Sequence, residues 1–98
     1  MEIPKLFGRD PDFVKQQPKI YIWNLDLSDE NSPPENKWRL ALEGYMGDTI
    51  WCWYIVEENE YEEIKIYAES VGIFGTMELA VDDLQHFLEI ISKIRSIM

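Results

Sequence analysis

Alternation of apolar and polar residues constrains this chain more than any other feature. From Lys37 to Met46, Trp38, Leu40 and Leu42 fall on one side and Lys37, Arg39 and Glu43 on the other. Side chains of an extended strand point to opposite faces in turn, so the pattern predicts a half-buried antiparallel strand. Tyr61 to Ser70 repeats it, with Ile64, Ile66 and Ala68 opposite Glu63, Lys65 and Glu69. Ile73 to Val81 puts Ile73, Met77, Leu79 and Val81 together. Lys19 to Leu27 is rich in β-formers, and Thr49 to Glu57 is apolar on both faces. The expected strands are therefore 19–27, 37–46, 49–57, 61–70 and 73–81. The pairing partner of 19–27 stays open at this level, and so does the exposure of Trp23.

Turn chemistry fixes how these strands meet. Two-residue loops are the commonest hairpin connections. A turn at Gly47-Asp48 sets Leu42 opposite Trp53 and Leu40 opposite Ile55, and directly opposed residues share a face. A two-residue turn at Asn59-Glu60 or Glu58-Asn59 adds Ile64, Ile66 and Ala68 to that face. A Val71-Gly72 turn then aligns Ile66 with Met77 and Ile64 with Leu79. The three turns agree on one apolar face, and a one-residue change in any loop would break the agreement.

A helix to cover that face is expected over 82–98. Leu84, Phe87, Leu88, Ile91, Ile94 and Met98 recur at helical spacing. Asp82 with Gln85 makes a capping-box pattern, and Lys93 and Arg95 suit the C-terminal end of the dipole. Residues 1–18, punctuated by Pro4, Gly8, Pro11 and Pro18, read as irregular, with a helical turn at 12–16. Ser28 to Asn36, with Pro33 and Pro34, reads as a polar loop. The expectation is a single α+β domain over 1–98: an antiparallel β-meander of about five strands (19–81) with one C-terminal amphipathic helix on one face.

The opposite sheet face is the unusual one. The same registers give it Tyr45, Ile50, Cys52, Tyr54, Val56, Tyr67 and Phe74, ringed by Arg39, Glu43, Glu63, Lys65, Glu69 and Glu78. One helix cannot cover both sides of a sheet. Either Leu6, Phe7, Phe13 and Val14 fold back over this patch with help from strand 19–27, or it is exposed for use.

Charge decides between partner classes. Nineteen acids against nine bases give a net charge of −10 over 98 residues. The imbalance is concentrated: Glu57, Glu58, Glu60, Glu62, Glu63, Glu69, Glu78, Asp82, Asp83 and Glu89 face Lys65 alone between positions 57 and 89. Phosphate backbones and anionic membranes need the opposite sign. Strands followed by a helix resemble the element order of small single-stranded nucleic-acid binders, but those sheets are basic as well as aromatic. A basic protein partner is the one the field favours.

Chemistry-bearing patterns are few. There is no GxSxG, no glycine-rich phosphate loop and no HExxH. Cys52 is the only cysteine, which rules out an internal disulfide or a Cys-paired zinc site and suits a reducing, cytoplasmic location. Met1 to Lys5 has no apolar run of the secretory kind, and Ile50 to Val56 is far short of the ~20 residues of a membrane helix. His86 is the only histidine, with Asp82 and Asp83 one turn before it, and the registers put Cys52 on the far side of the sheet from it. The oxygen donors of Asp26 to Asn31 lack the order of a calcium loop. No catalytic, metal or cofactor site is expected. The expected function is a small non-enzymatic inhibitor or immunity-type neutraliser of a basic protein such as a toxin or nucleic-acid enzyme. It would bind through Tyr45, Tyr54, Tyr67 and Phe74 with Glu57, Glu58, Glu60, Glu62 and Glu63. The alternative is a homo-oligomeric accessory module, a homodimer through the same face.

Overall fold

The structure, a computed structural model, describes residues 4–25 and 35–97, with backbone alone from 92 onward. The polar loop and the oxygen donors of Asp26 to Asn31 lie largely outside these residues, as do the side chains of Lys93 and Arg95. The fold is α+β. Five antiparallel strands pair strictly in sequence order: β1 (Asp12–Gln16), β2 (Lys19–Leu25), β3 (Lys37–Tyr45), β4 (Ile50–Glu58) and β5 (Ile64–Glu69). One helix, α1 (Met77–Ile97), packs against β3 and β4.

The β3–β4 register is the expected one, Leu40 opposite Ile55 and Leu42 opposite Trp53. The connection is wider than two residues, running over Met46–Thr49 with Met46, Gly47 and Asp48 at positive φ. The open strand 19–27 resolves as β2, held between β1 and β3. Trp23 is buried, and its indole N–H donates to the Arg9 carbonyl at 3.0 Å.

Three expectations are overturned. Residues 12–16 are a strand, not a helical turn. Five residues bracketed by Pro11 and Pro18 are too few to offset helix nucleation, while pairing with β2 satisfies their backbone directly. Residues 73–81 are not a strand. Thr76 caps a helix that begins at Met77, its hydroxyl accepting from the Leu79 N–H at 3.2 Å. The period there is helical: Met77, Ala80, Val81, Leu84 and Leu88 are buried, whereas Ile73 and Leu79, apolar on the strand reading, are exposed. Asp82 is accordingly inside the helix and not its cap. No Val71-Gly72 hairpin forms. The chain instead runs back beside β4, with Trp51 and Phe74 exchanging two 2.8 Å backbone hydrogen bonds.

The third correction concerns β5. The loop Asn59–Glu63 is longer than two residues and of odd length, so parity flips: Ile64 pairs with Glu58 and Ile66 with Val56. A bulge at Tyr67 then restores it, and Ala68 pairs with Ile55. Ile64 and Ile66 therefore face away from the helix, while Lys65, Tyr67 and Ala68 face toward it.

The core lies between the sheet and α1. Trp51, Leu40, Leu42, Ile55 and Leu84 are its fully buried side chains, each contributing ~1.5–3 kcal/mol by leaving water. Trp53 ties the layers together through a 2.8 Å hydrogen bond from its indole N–H to Asp83 and a 5.1 Å ring contact with Phe87. Leu6 joins this core and Phe13 packs on Tyr21 at 5.3 Å, so the N-terminal segment closes the helix side of the sheet.

Candidate functional site, the open face of the sheet

That placement decides which reading of the second face holds. Leu6 and Phe13 are spent on the helix side, Phe7 and Val14 are exposed, and α1 is the only described element packed on the sheet from above or below. Strand β2 does not shield the face but extends it, adding Ile20 and Ile22. Among the described residues nothing covers it.

Its rows can be read across the strands. Lys15, Ile20, Glu43 and Cys52 form one; Asp12, Ile22, Ala41, Tyr54 and Glu69 the next; then Asn24, Arg39, Val56 and Ile66; then Lys37, Glu58 and Ile64; Tyr45 and Ile50 lie at the opposite end. An oblique apolar band thus runs from Ile20 and Ile22 through Ala41, Tyr54 and Val56 to Ile66 and Ile64. The two isoleucines at its β5 end, Ile66 and Ile64, are 58% and 62% exposed.

Polar groups on the face are organised. Arg39 and Glu58 form an ion pair at 3.0 Å. Glu43 accepts from Tyr54 Oη at 2.7 Å through one carboxylate oxygen and from Tyr45 Oη through the other. The Glu43 hydrogen bond, with some burial, pushes the Tyr45 phenol up to about 12. Burial first, then the same carboxylate, pushes Tyr54 up further. Burial also raises the Cys52 thiol, helped by Glu43 and Glu69. All three groups are therefore held neutral, and the thiolate is disfavoured. Cys52 is across the sheet from His86, which is exposed beside a hollow of about 260 Å³ lined by Trp53, Phe87 and Asp83 among others.

The acidic tip adjoins the band. Asn59 Oδ1 accepts from the backbone N–H of Tyr61 and of Glu63, both at 2.9 Å, and Glu62 takes φ 63°. These bonds hold the loop in one shape, with Glu60, Tyr61, Glu62 and Glu63 all exposed. Glu63 leads directly into Ile64.

Of the residues expected to bind a partner, the structure brings Tyr45, Tyr54 and Glu58 onto the open face and Glu60, Glu62 and Glu63 to its edge. Tyr67, Phe74 and Glu57 belong to the other side. Tyr67 meets the buried Trp38 edge-on at 5.0 Å, a consequence of the bulge. Phe74 pairs with Trp51 and packs on the core, because 73–76 is a bridge and cap segment and not a strand. Glu57 is opposite Trp38 and accepts from Asn36 at 2.7 Å. Sequence reasoning missed Ile64 and Ile66, whose side depends on the odd loop. It placed Glu43 only at the margin, although the Gly47-Asp48 register already sets it opposite Cys52 with Tyr45 and Tyr54 as its neighbours.

No described helix is long and apolar enough to cross a membrane, and no cluster of metal-ligating side chains occurs among the described residues. Comparison with protein-family models, curated proteins and solved structures finds no match to this chain.

Proposed function

We propose that this protein is a non-enzymatic binding module that engages, and by occupancy neutralises, a basic protein. One observation carries the reading: the apolar band of the open face, buried or half-buried from Ile20 to Val56 and exposed at Ile66 and Ile64, runs into the ordered acidic tip at Glu63. Acids steer and orient a basic partner, and buried aromatic and aliphatic groups hold it. Strand spacing of ~4.8 Å and rise of ~3.3 Å give the face roughly 20 by 25 Å. A standard interface buries ~800 Å² on each partner, so the tip must take part along with the face. An inhibitor or immunity-type role is the form of this reading that best fits a small acidic chain with few chemistry-bearing patterns.

The test begins with capture of binding proteins from the native host on the full chain, followed by affinity measurement of each basic protein recovered. The expected result is an affinity that falls by more than about tenfold between roughly 0.05 and 0.5 M salt. Replacing Glu60, Glu62 and Glu63 together by glutamine, or Ile66 by Asp, should weaken binding to a similar degree. A captured partner insensitive to both variants and to salt would remove the basis for the reading.

A further inference from the structure

We propose that Glu43, Tyr45 and Tyr54 form a receptor for an arginine side chain presented by the basic partner. This rests on the reading above and names the chemistry of one contact within it. Glu43 is half-buried toward the C-terminal end of β3, between Tyr45 and the buried Ala41 on the open face. Among the described residues Glu43 has no ion pair: Arg39 is taken by Glu58 at 3.0 Å and Lys19 by Asp48 at 2.7 Å, and Lys15 lies two strands away in the same row. Two tyrosine hydroxyls each fix one oxygen of Glu43. An ionised carboxylate has about four acceptor sites, so both oxygens keep room for a further donor while their orientation is already set.

The rings supply the rest. Tyr45 is 38% exposed and Tyr54 is half-buried beside it, so each can offer part of an electron-rich surface to a cation. The local potential has the right sign. Glu43 is the main cause of the raised Tyr45 phenol and adds to burial at Tyr54 and Cys52, and Glu69, directly opposite Tyr54, adds further at Cys52. A guanidinium suits this arrangement better than an ammonium. It is planar, weakly hydrated, stacks on aromatic rings and donates in a fork that matches two carboxylate oxygens. The aliphatic stem of the arginine would lie toward the half-buried Ile22, in the row that continues from Tyr54 across Ala41.

The experiment is an NMR titration of the full chain with two probes, a nine-residue arginine peptide and a nine-residue lysine peptide. Arginine should bind about tenfold tighter than lysine, and should shift the Glu43 carboxyl and the Tyr45 and Tyr54 ring signals. Glu43→Gln, which keeps one acceptor oxygen and turns the other into an NH2 that can donate to the second tyrosine oxygen, should erase the arginine preference while leaving the spectrum folded. Tyr54→Phe, which keeps the ring, should retain most of it. Equal affinity for the two peptides overturns the proposal. Shifts confined to residues 59–63, with Glu43→Gln binding as tightly as the parent, also overturn it, and leave the acidic-tip reading standing. If neither peptide binds, the arginine receptor is overturned, while the wider reading is judged separately on the host partner and its salt dependence.

Discussion

The indole of Trp51 occupies the space a side chain at Gly44 would need. The two residues are directly opposed across β3 and β4, and a Cβ built on Gly44 would lie 2.6 Å from both Cη2 and Cζ3 of Trp51. Trp51 is almost fully buried and its N–H is bonded to the Asp48 carbonyl at 2.8 Å, so the ring cannot swing aside without losing both burial and that bond. Gly44→Ala should cost ~1–3 kcal/mol by overpacking. In a domain of this size that is a fall in Tm of several degrees, about 4–8 °C per kcal/mol. Thermal unfolding followed by circular dichroism measures it, and an unchanged Tm would show that the ring moves freely.

The layers are joined at Trp53 and Asp83. Removing the acceptor with Asp83→Ala leaves a largely buried indole N–H without a partner, at an expected cost of ~1–3 kcal/mol. Urea midpoints report the loss. Asp82→Ala, one residue earlier and exposed, serves as the control and should change stability much less.

The start of α1 can be tested separately. Thr76→Ala should destabilise by about 1 kcal/mol, the usual worth of an N-cap. If Asp82→Ala proved the more damaging of the two, the helix would begin where the capping-box pattern suggested and not at Met77.

The bulge in β5 makes a register prediction. Ile66→Asp faces solvent and should leave stability within about 0.5 kcal/mol. Ala68→Asp places a carboxylate against the core beside Ile55 and should cost several times more, ~2 kcal/mol or above. Equal effects at the two positions would argue for an unbulged strand.

Alkaline pH should weaken the fold. The phenols of Tyr45 and Tyr54 are held above the ordinary tyrosine value of 10.0, Tyr45 at about 12 and Tyr54 higher. A raised acid of this kind stabilises fully below its unfolded value, and that contribution is lost as pH rises through the folded one. The contribution of these tyrosines is therefore constant up to about pH 9 and declines above about pH 10. Phenolate absorbance followed with pH should show a late-titrating component that shrinks in Tyr45→Phe and in Tyr54→Phe. Its absence would mean that Glu43 does not hold these hydroxyls in solution.

What the sequence determined by itself is local and periodic. Alternation in 37–46 and a turn signal at Gly47-Asp48 were enough to specify the register against the doubly apolar 49–57, and with it the placement of Trp38, Leu40, Leu42, Trp53 and Ile55 in the core. The same register placed Tyr45, Cys52 and Tyr54 on the opposite face, because strand parity carries through any even loop. The helical stripe from Leu84 to Leu88 was equally legible, since 3.6-residue spacing has no competing reading there.

Tertiary structure alone decided the rest. Whether Ile64 and Ile66 face in or out hung on the odd length of the Asn59–Glu63 loop, stabilised by an asparagine side chain, and on a compensating bulge at Tyr67. Over residues 73–81 a period of two and a period of 3.6 both fit Met77 and Val81; packing of Ala80 and Leu84 on the sheet chose the helix. The N-terminal segment could have capped either face, and burial of Leu6 in the core sent it to the helix side. That long-range choice leaves the aromatic and acidic face open, and no local pattern in the chain encodes it.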